Sequence, residues 1–557
     1  MNHRTRMSIF VGGALLLGLC AGIAVQSQAP VLPITREIVA SAERLIGLSF
    51  TETKRDSMLD GLQEQLQNYR ALRSVSLPNS VPPALGFDLL PSTFRHDPRP
   101  SVFRMSPLGK IALPDSPASI AFSSVGQLGA LIRERRITST QLTRLYLGRL
   151  KKYGPQLECV VTLTEDLALA QAQRADQEIR AGKYRGPLHG IPYGLKDLFA
   201  TKGILTTWGS VPYKEQLLNE DATVVQRLER AGAVLVAKTS VGELAWGDVW
   251  FGGKTRNPWN REEGSSGSSA GSAASTAAGL VAFSIGTETW GSIVSPATRC
   301  GVTGLRPTYG RVSRAGAMAL SWSMDKIGSI CRTVEDCALV LNAIYGPDGR
   351  DPSVRDEPFR YDPNLDIRNL RVGYLKAEFD SARANRQNDS LALAALRSMG
   401  VRLIPVSLPE YPINDMSIIL SAEAGAAFDE LTRSGKDDLL VRQIKDAWPN
   451  AFRLSRFIPA VEYIQANRVR RLAIEAMAAV TRDIDVYVSP SLEGNNLLLT
   501  NLTGHPCVVV PNGFSAKGSP TSITFTGRLF EEGLVLALAK RYQDHTGFHQ
   551  RHPQGFE

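Results

Sequence analysis

Lys196 is the residue of this 557-residue chain whose surroundings most clearly imply chemistry. It lies between apolar residues in GPLHGIPYGLKDLF and is followed at once by Asp197. A lysine withdrawn from water by such flanks gives up its charge more readily, and a neutral amine is a base. Further on, Gly264 to Pro296 reads GSSGSSAGSAASTAAGLVAFSIGTETWGSIVSP. Its glycines allow φ > 0 and close approach of main chain to a ligand, at an entropic cost that a purely structural segment has little reason to bear. Its hydroxyls both donate and accept protons. A base and a set of serines are the parts of nucleophilic catalysis. Composition alone would also suit a flexible linker. The apolar run Ala277 to Ile285, continued by Ile293 and Val294, would be wasted in a solvated linker and favours packed structure. Neither GxxxxGKS/T nor GxGxxG followed by an acidic residue can be fitted, which sets nucleotide binding aside.

At these residues the chain resembles the amidase signature family of serine hydrolases. The family motif GGSSGGSA, an apolar run and GTDTGGSI are matched by GSSAGSA at Gly267 to Ala273 and GTETWGSI at Gly286 to Ile293. The lysine motif GIPxxxKD is matched by Gly190 to Asp197. Carried over position by position, the resemblance implies Ser292 as nucleophile, Ser268 as bridging serine and Lys196 as base. It also implies a cis peptide before the bridging serine, here Gly267–Ser268. The likeness runs from about Ala118 to about Pro553, through TSTQLTRLYLGRL at Thr138, GLRPTYGRVSRAG at Gly304 and TGHPCVVVPNGF at Thr503.

The chemistry those positions imply can be stated independently. A serine hydroxyl becomes nucleophilic when a base accepts its proton. A free lysine has a pKa of about 10.4, so Lys196 has to be desolvated to serve. Ser268 could then relay a proton from Ser292 to Lys196 and later to the leaving amine. Negative charge on a tetrahedral intermediate needs preorganised donors. In the family the backbone N–H groups at Thr289, Trp290, Gly291 and Ser292 form this oxyanion hole. Trp290 replaces a residue that is commonly glycine, and Ala270 replaces another. Two readings of Trp290 stand side by side, a packed aromatic and an indole that narrows the acyl pocket; Trp208, in TTWGS, is a second candidate wall.

Other chemistries find little support. The seven histidines include no HExxH, and cysteine or acidic support is sparse around those at 545, 549 and 552, so neither metal nor other cofactor is expected. Six scattered cysteines show no CxxC spacing. A formal charge of +9 permits an anionic partner, but the densest basic stretch, Arg133 to Arg136 with Lys151 and Lys152, reads as solvated helix faces and not as a nucleic-acid surface.

Arg4 and Arg6 precede an apolar run from Ile9 to Val25 and the small-residue segment Gln26 to Ala29, the pattern of a secretory signal or, alternatively, an N-terminal membrane anchor over residues 1–29. Export, to the periplasm or medium, is expected. Residues 30–76 carry helical periodicity, with Met58, Leu62, Leu66 and Tyr69 on one face, and read as a helical hairpin. The pattern is weakly similar to the small helical partner of the catalytic chain in tRNA-dependent amidotransferases. Nine prolines mark 77–117 as an extended strap. In 118–557, helical stretches such as Thr138 to Lys152, with a capping box at Thr138 and Gln141, alternate with β-like runs at Gly232 to Ala237, Val372 to Leu375 and Asp485 to Ser489. That alternation predicts an α/β fold, a three-layer α/β/α sandwich, to which the resemblance adds a large mixed sheet. The function expected is hydrolysis of a small-molecule carboxamide, or an ester, through an acyl-enzyme. The second reading is an amidotransferase-like catalytic subunit that releases ammonia to a partner.

Overall fold

The computed structural model describes residues 33–557 apart from 74, 76–77, 82–85 and 382. The signal or anchor segment at 1–29 therefore lies outside the described residues. The chain forms two compact units, one ending at Ser76 and the other running from Leu77 to Glu557.

In the first unit, helices Arg36–Ile46 and Glu52–Arg73 form an antiparallel pair. Thr35 caps the first, and Gly47, with φ of 69°, ends it in the left-handed conformation that glycine adopts at no steric cost. Buried Glu43 ties the pair, accepting from Arg55 Nε at 2.9 Å and from Phe50 N at 3.2 Å.

The second unit is built on an eleven-stranded mixed sheet. Numbered in chain order, its strands are β1 (Val160–Leu163), β2 (Pro192–Lys196), β3 (Val234–Thr239), β4 (Phe283–Glu288), β5 (Thr303–Arg306), β6 (Lys326–Cys331), β7 (Val372–Leu375), β8 (Leu403–Val406), β9 (Val486–Pro490), β10 (Cys507–Phe514) and β11 (Pro520–Gly527). Their order across the sheet is β8-β7-β9-β11-β10-β5-β6-β4-β2-β3-β1. The neighbouring strands β2 and β4 are parallel, with Tyr193 opposite Phe283, and β4 and β6 are antiparallel, with Glu288 opposite Lys326.

Successive strand residues face opposite sides of a sheet. Val508 and Val510 of β10 accordingly enter one apolar cluster, whereas Cys507 and Val509 enter another. The first cluster is closed by helices such as Val334–Ile344 and Glu532–Thr546, the second by Ser139–Leu157, Ala270–Ala277 and Val294–Cys300. Two cores on the two faces of one sheet make the α/β/α sandwich. The capping box of Thr138 and Gln141 is formed in both directions. β3 begins two residues later than its apolar run because Gly232 has φ of 82° and turns the chain.

The strap of the second unit is irregular between 86 and 115 except at Val102–Phe103, which pairs in parallel with Arg360–Tyr361. The five described cysteines are buried and free. Among the described residues, no helix is long and apolar enough to cross a membrane.

Candidate active site

Lys196 ends β2, the third strand from one edge of the sheet, and is fully buried. Its neighbours in space come from the glycine- and serine-rich segment. Nζ lies 2.9 Å from Ser268 Oγ, 3.0 Å from Ser269 Oγ and 2.8 Å from Thr287 Oγ1. Thr287 O lies farther off, at 3.4 Å. Burial dominates the electrostatics and pushes the Lys196 pKa down to about 7, although the carboxylates of Asp325 and Glu288 act to raise it. The Lys196 ammonium thus loses its proton near neutrality.

The adjacent Asp197 serves a different purpose. It forms a fully buried ion pair with Lys238 Nζ at 2.9 Å and accepts from Thr207 N at 2.9 Å. Removing either partner of such a pair would leave a buried charge unmatched, so Asp197 and Lys238 fix the loop that follows β2.

Ser268 enters through the Gly267–Ser268 bond, which is cis. A Cβ on Gly267 would stand 1.8 Å from Gly247 O, so the approach of these two backbones requires glycine here. Helix Ala270–Ala277 follows directly, and its small residues are all buried. The hydroxyl of Ser268 has one hydrogen bond among the described residues, that from Lys196.

Ser292 follows β4 through Thr289, Trp290 and Gly291 and is 7% exposed. Gly291 has φ of 84°, and a Cβ there would meet Leu497 Cδ2 at 3.1 Å. Among the described residues, the N–H groups of Thr289, Trp290, Gly291 and Ser292 have no protein acceptor. The next two are held. Glu288 Oε2 accepts from Ile293 N at 2.8 Å and Val294 N at 2.9 Å. Its Oε1 accepts from Arg306 Nη1 and Asn501 Nδ2, each at 2.8 Å. Arg306 in turn reaches His505 O and Thr500 Oγ1, each at 2.9 Å. This buried network pins the turn carrying Ser292, and Ser269 N donates to Ser292 O at 3.2 Å to tie the two serine segments together.

A cavity of about 210 Å³ opens beside Thr287 and Thr289, with Met318, Asp325 and Lys326 in its walls. Burial raises the Asp325 carboxyl pKa, while donors from Thr289 Oγ1 at 2.6 Å and Leu320 N at 2.8 Å work in the other direction. The strap contributes Asn79 to the same cavity. Its amide pairs with both backbone groups of Ala319, at 2.8 and 2.7 Å.

Lys196, Ser268 and the 289–292 turn are therefore brought together, whereas the two tryptophans stand apart from that cavity. Trp208 is buried against Tyr213, with ring centroids 4.5 Å apart, and Trp290 is 43% exposed. Neither lines the 210 Å³ cavity. Ser269, Thr287, Glu288, Arg306 and Asp325 were not singled out by sequence reasoning. Ser269 and Thr287 carried a signal, since they flank motif positions with hydroxyls, but Arg306 and Asp325 reach the site only through strand pairing.

A mixed sheet with a lysine–serine cluster at its strand ends defines an α/β enzyme. The amidase family profile matches residues 141–536, and the chain belongs to that family. It is 34% identical over 478 residues to the A chain of glutamyl-tRNA(Gln) amidotransferase from Marinomonas sp. (strain MWYL1), covering 77% of this chain and 98% of that one. The like-named chain of Roseiflexus sp. (strain RS-1) is 36% identical over 464 residues, covering 75% and 95%. Among solved structures, native peptide amidase from Stenotrophomonas maltophilia aligns with a TM-score of 0.69 at 31% identity, over 78% of this chain and 99% of that one. An amidase family protein from Bacillus anthracis str. Ames aligns with a TM-score of 0.70 at 27% identity, over 78% and 94%. The chain is an amidase, an enzyme that hydrolyses carboxylic acid amides.

Proposed function

We propose that hydrolysis proceeds through an acyl-enzyme on Ser292, with Ser268 relaying protons and Lys196 as the base. The observation that carries this reading is the contact of fully buried Lys196 Nζ with Ser268 Oγ at 2.9 Å. Donor geometry supports it. A neutral amine has two N–H bonds and one lone pair. Ser269 Oγ accepts from Thr287 N at 3.2 Å and donates to Thr287 O at 3.1 Å, which leaves it free to accept one amine proton. Thr287 Oγ1 accepts the other, so the lone pair faces the hydroxyl of Ser268. That hydroxyl, once it gives its proton to Lys196, can take the proton of Ser292 as the serine attacks the amide carbonyl. The oxyanion is received by the free N–H groups of Thr289, Trp290, Gly291 and Ser292. The relay then returns its proton to the leaving amine, and water releases the acid by the same steps. No cofactor takes part.

The substrate is a small-molecule amide, and the 210 Å³ cavity, lined by Thr287 and Thr289 but not by Lys196, Ser268 or Ser292, lies next to the proposed site. Fluorophosphonate labelling followed by peptide mapping tests the nucleophile. Modification falls on Ser292 and is lost, with turnover, in Ser292→Ala; modification at Ser268 or Ser272 would overturn the assignment.

A second reading, a catalytic subunit that passes ammonia to a partner, is favoured by the names of the amidotransferase chains that this one matches over nearly their full length. Export separates the two, because tRNA charging is cytoplasmic. We place the protein in the periplasm or medium, on the strength of the Arg4 to Ala29 pattern. Fractionation and N-terminal sequencing of the mature chain test this, and an intact cytoplasmic chain would favour the ammonia-transfer reading.

A further inference from the structure

A second cavity of about 860 Å³ lies in the same unit, between the strap at Pro91 to Arg104, the turn at Thr481 and Arg482, and the segment from Arg528 to Leu534. Neither Lys196, Ser268 nor Ser292 lines it. Its volume falls within the roughly 300–1,000 Å³ of small-molecule sites.

Six arginines, Arg95, Arg99, Arg104, Arg360, Arg482 and Arg528, line it against four carboxylates, those of Asp97, Glu357, Asp362 and Glu531. Their pairing shows where charge is left over. Asp97 holds Arg99 at 2.8 Å and Asp362 holds Arg104 at 2.7 Å. Arg528 sits between Asp485 at 2.7 Å and Glu531 at 3.6 Å. Glu357 accepts from His96 Nδ1 at 2.8 Å. Among the described residues, Arg95, Arg360 and Arg482 have no carboxylate at ion-pair distance. Backbone carbonyls orient two of them, Phe94 O accepting from Arg95 Nη1 at 2.8 Å and Pro100 O from Arg360 Nη1 at 2.6 Å. A carbonyl fixes a guanidinium without cancelling its charge. His505, also in the wall, adds none, because burial pushes its pKa down to about 3. Most of the remaining wall is apolar. Phe94 packs edge-on against Phe530, with centroids 5.9 Å apart, beside Leu529, Leu534 and Ile474.

We propose that this cavity binds an organic carboxylate with an apolar body. Guanidinium groups match carboxylates in geometry and charge, and charge-assisted pairs of this kind are about twice as strong as neutral ones. The Phe94–Phe530 wall takes the body. Amide hydrolysis releases carboxylic acids, so the ligand shares its charged group with a product of the reaction.

Titration calorimetry of the full chain with octanoate, 1-octanol and inorganic phosphate tests the proposal. Octanoate binds at least about tenfold more tightly than either of the others, and affinity falls by about tenfold or more in the double variant Arg360→Gln/Arg482→Gln, whose intact amidase rate reports folding. Undiminished octanoate affinity in that folded variant would overturn the proposal. So would equal binding of octanol or phosphate, or the absence of octanoate binding at millimolar concentration. Should the double variant fail to fold, Arg482→Gln alone and the three-ligand comparison on the unsubstituted chain decide.

Discussion

Removing the Lys196 amine separates the proposed chemistry from the fold. With a pKa of about 7, roughly a tenth of Lys196 is neutral at pH 6 and a hundredth at pH 5. The value of kcat/KM for an uncharged amide therefore falls about tenfold per pH unit below 7 and levels off above it. Lys196→Met abolishes this limb and lowers the rate by roughly 10²–10⁴, the worth of a positioned base. Stability moves the other way. The folded pKa lies below the ordinary 10.5, so between 10.5 and about 7 the unfolded chain binds a proton that the folded chain refuses. Stability thus rises with pH across that window, and below it the buried amine costs about 5 kcal/mol, against which its hydrogen bonds must be set. Lys196→Met is expected to melt no lower than the parent at pH 7. Initial rates from pH 5 to 9 and thermal unfolding of both chains are the assays. A flat pH profile in the parent, or a limb near pH 10, would refute the reasoning, as would wild-type activity in Lys196→Met.

Arg306→Leu strands Glu288 as an unpaired buried charge and costs about 3–5 kcal/mol, read as a lower denaturation midpoint. Because Glu288 holds Ile293 and Val294, the rate falls even where the variant remains folded; an unchanged midpoint would show the network to be dispensable. Addition of EDTA leaves the rate unchanged, and loss restored by zinc would reveal a metal. Trp290→Gly keeps the backbone donor and removes a side chain that is 43% exposed and outside the 210 Å³ cavity. The ratio of kcat/KM for short and long acyl amides stays within about twofold, and a larger change would return the indole to the acyl pocket.

Lys196 was legible in the sequence because a charged residue in an apolar run breaks the strand pattern, and a buried lysine needs a reason. The glycines around Ser268 and Ser292 were legible for a related cause: backbone contacts such as Gly267 with Gly247 leave no space for a Cβ. The layered fold followed from alternating helical and strand-like runs, but strand order did not. Nothing local tells Arg306 of β5 that it will face Glu288 of β4, since β6 lies between them. Partners fixed by a crossover are set by topology, which periodicity does not encode.

This division has a physical basis that bears on function. The groups proposed to touch substrate sit on two segments whose side chains or glycines are locally anomalous, so their types betray them. The groups that hold those segments still are ordinary in type and unusual only in burial and pairing. Glu288 is fully buried, receives four donors and stands four residues before Ser292, yet in the sequence it is one glutamate in a polar motif. Its carboxylate stays charged because Arg306 and the donors outweigh the cost of burial, so its pKa is lowered despite that burial. Protonating it would remove acceptors from Ile293 N and Val294 N and free the turn. Preorganised donors for an oxyanion depend on that turn being rigid before the substrate arrives, which makes the buried Glu288–Arg306 pair a condition of the chemistry proposed at Ser292, though neither residue takes part in it.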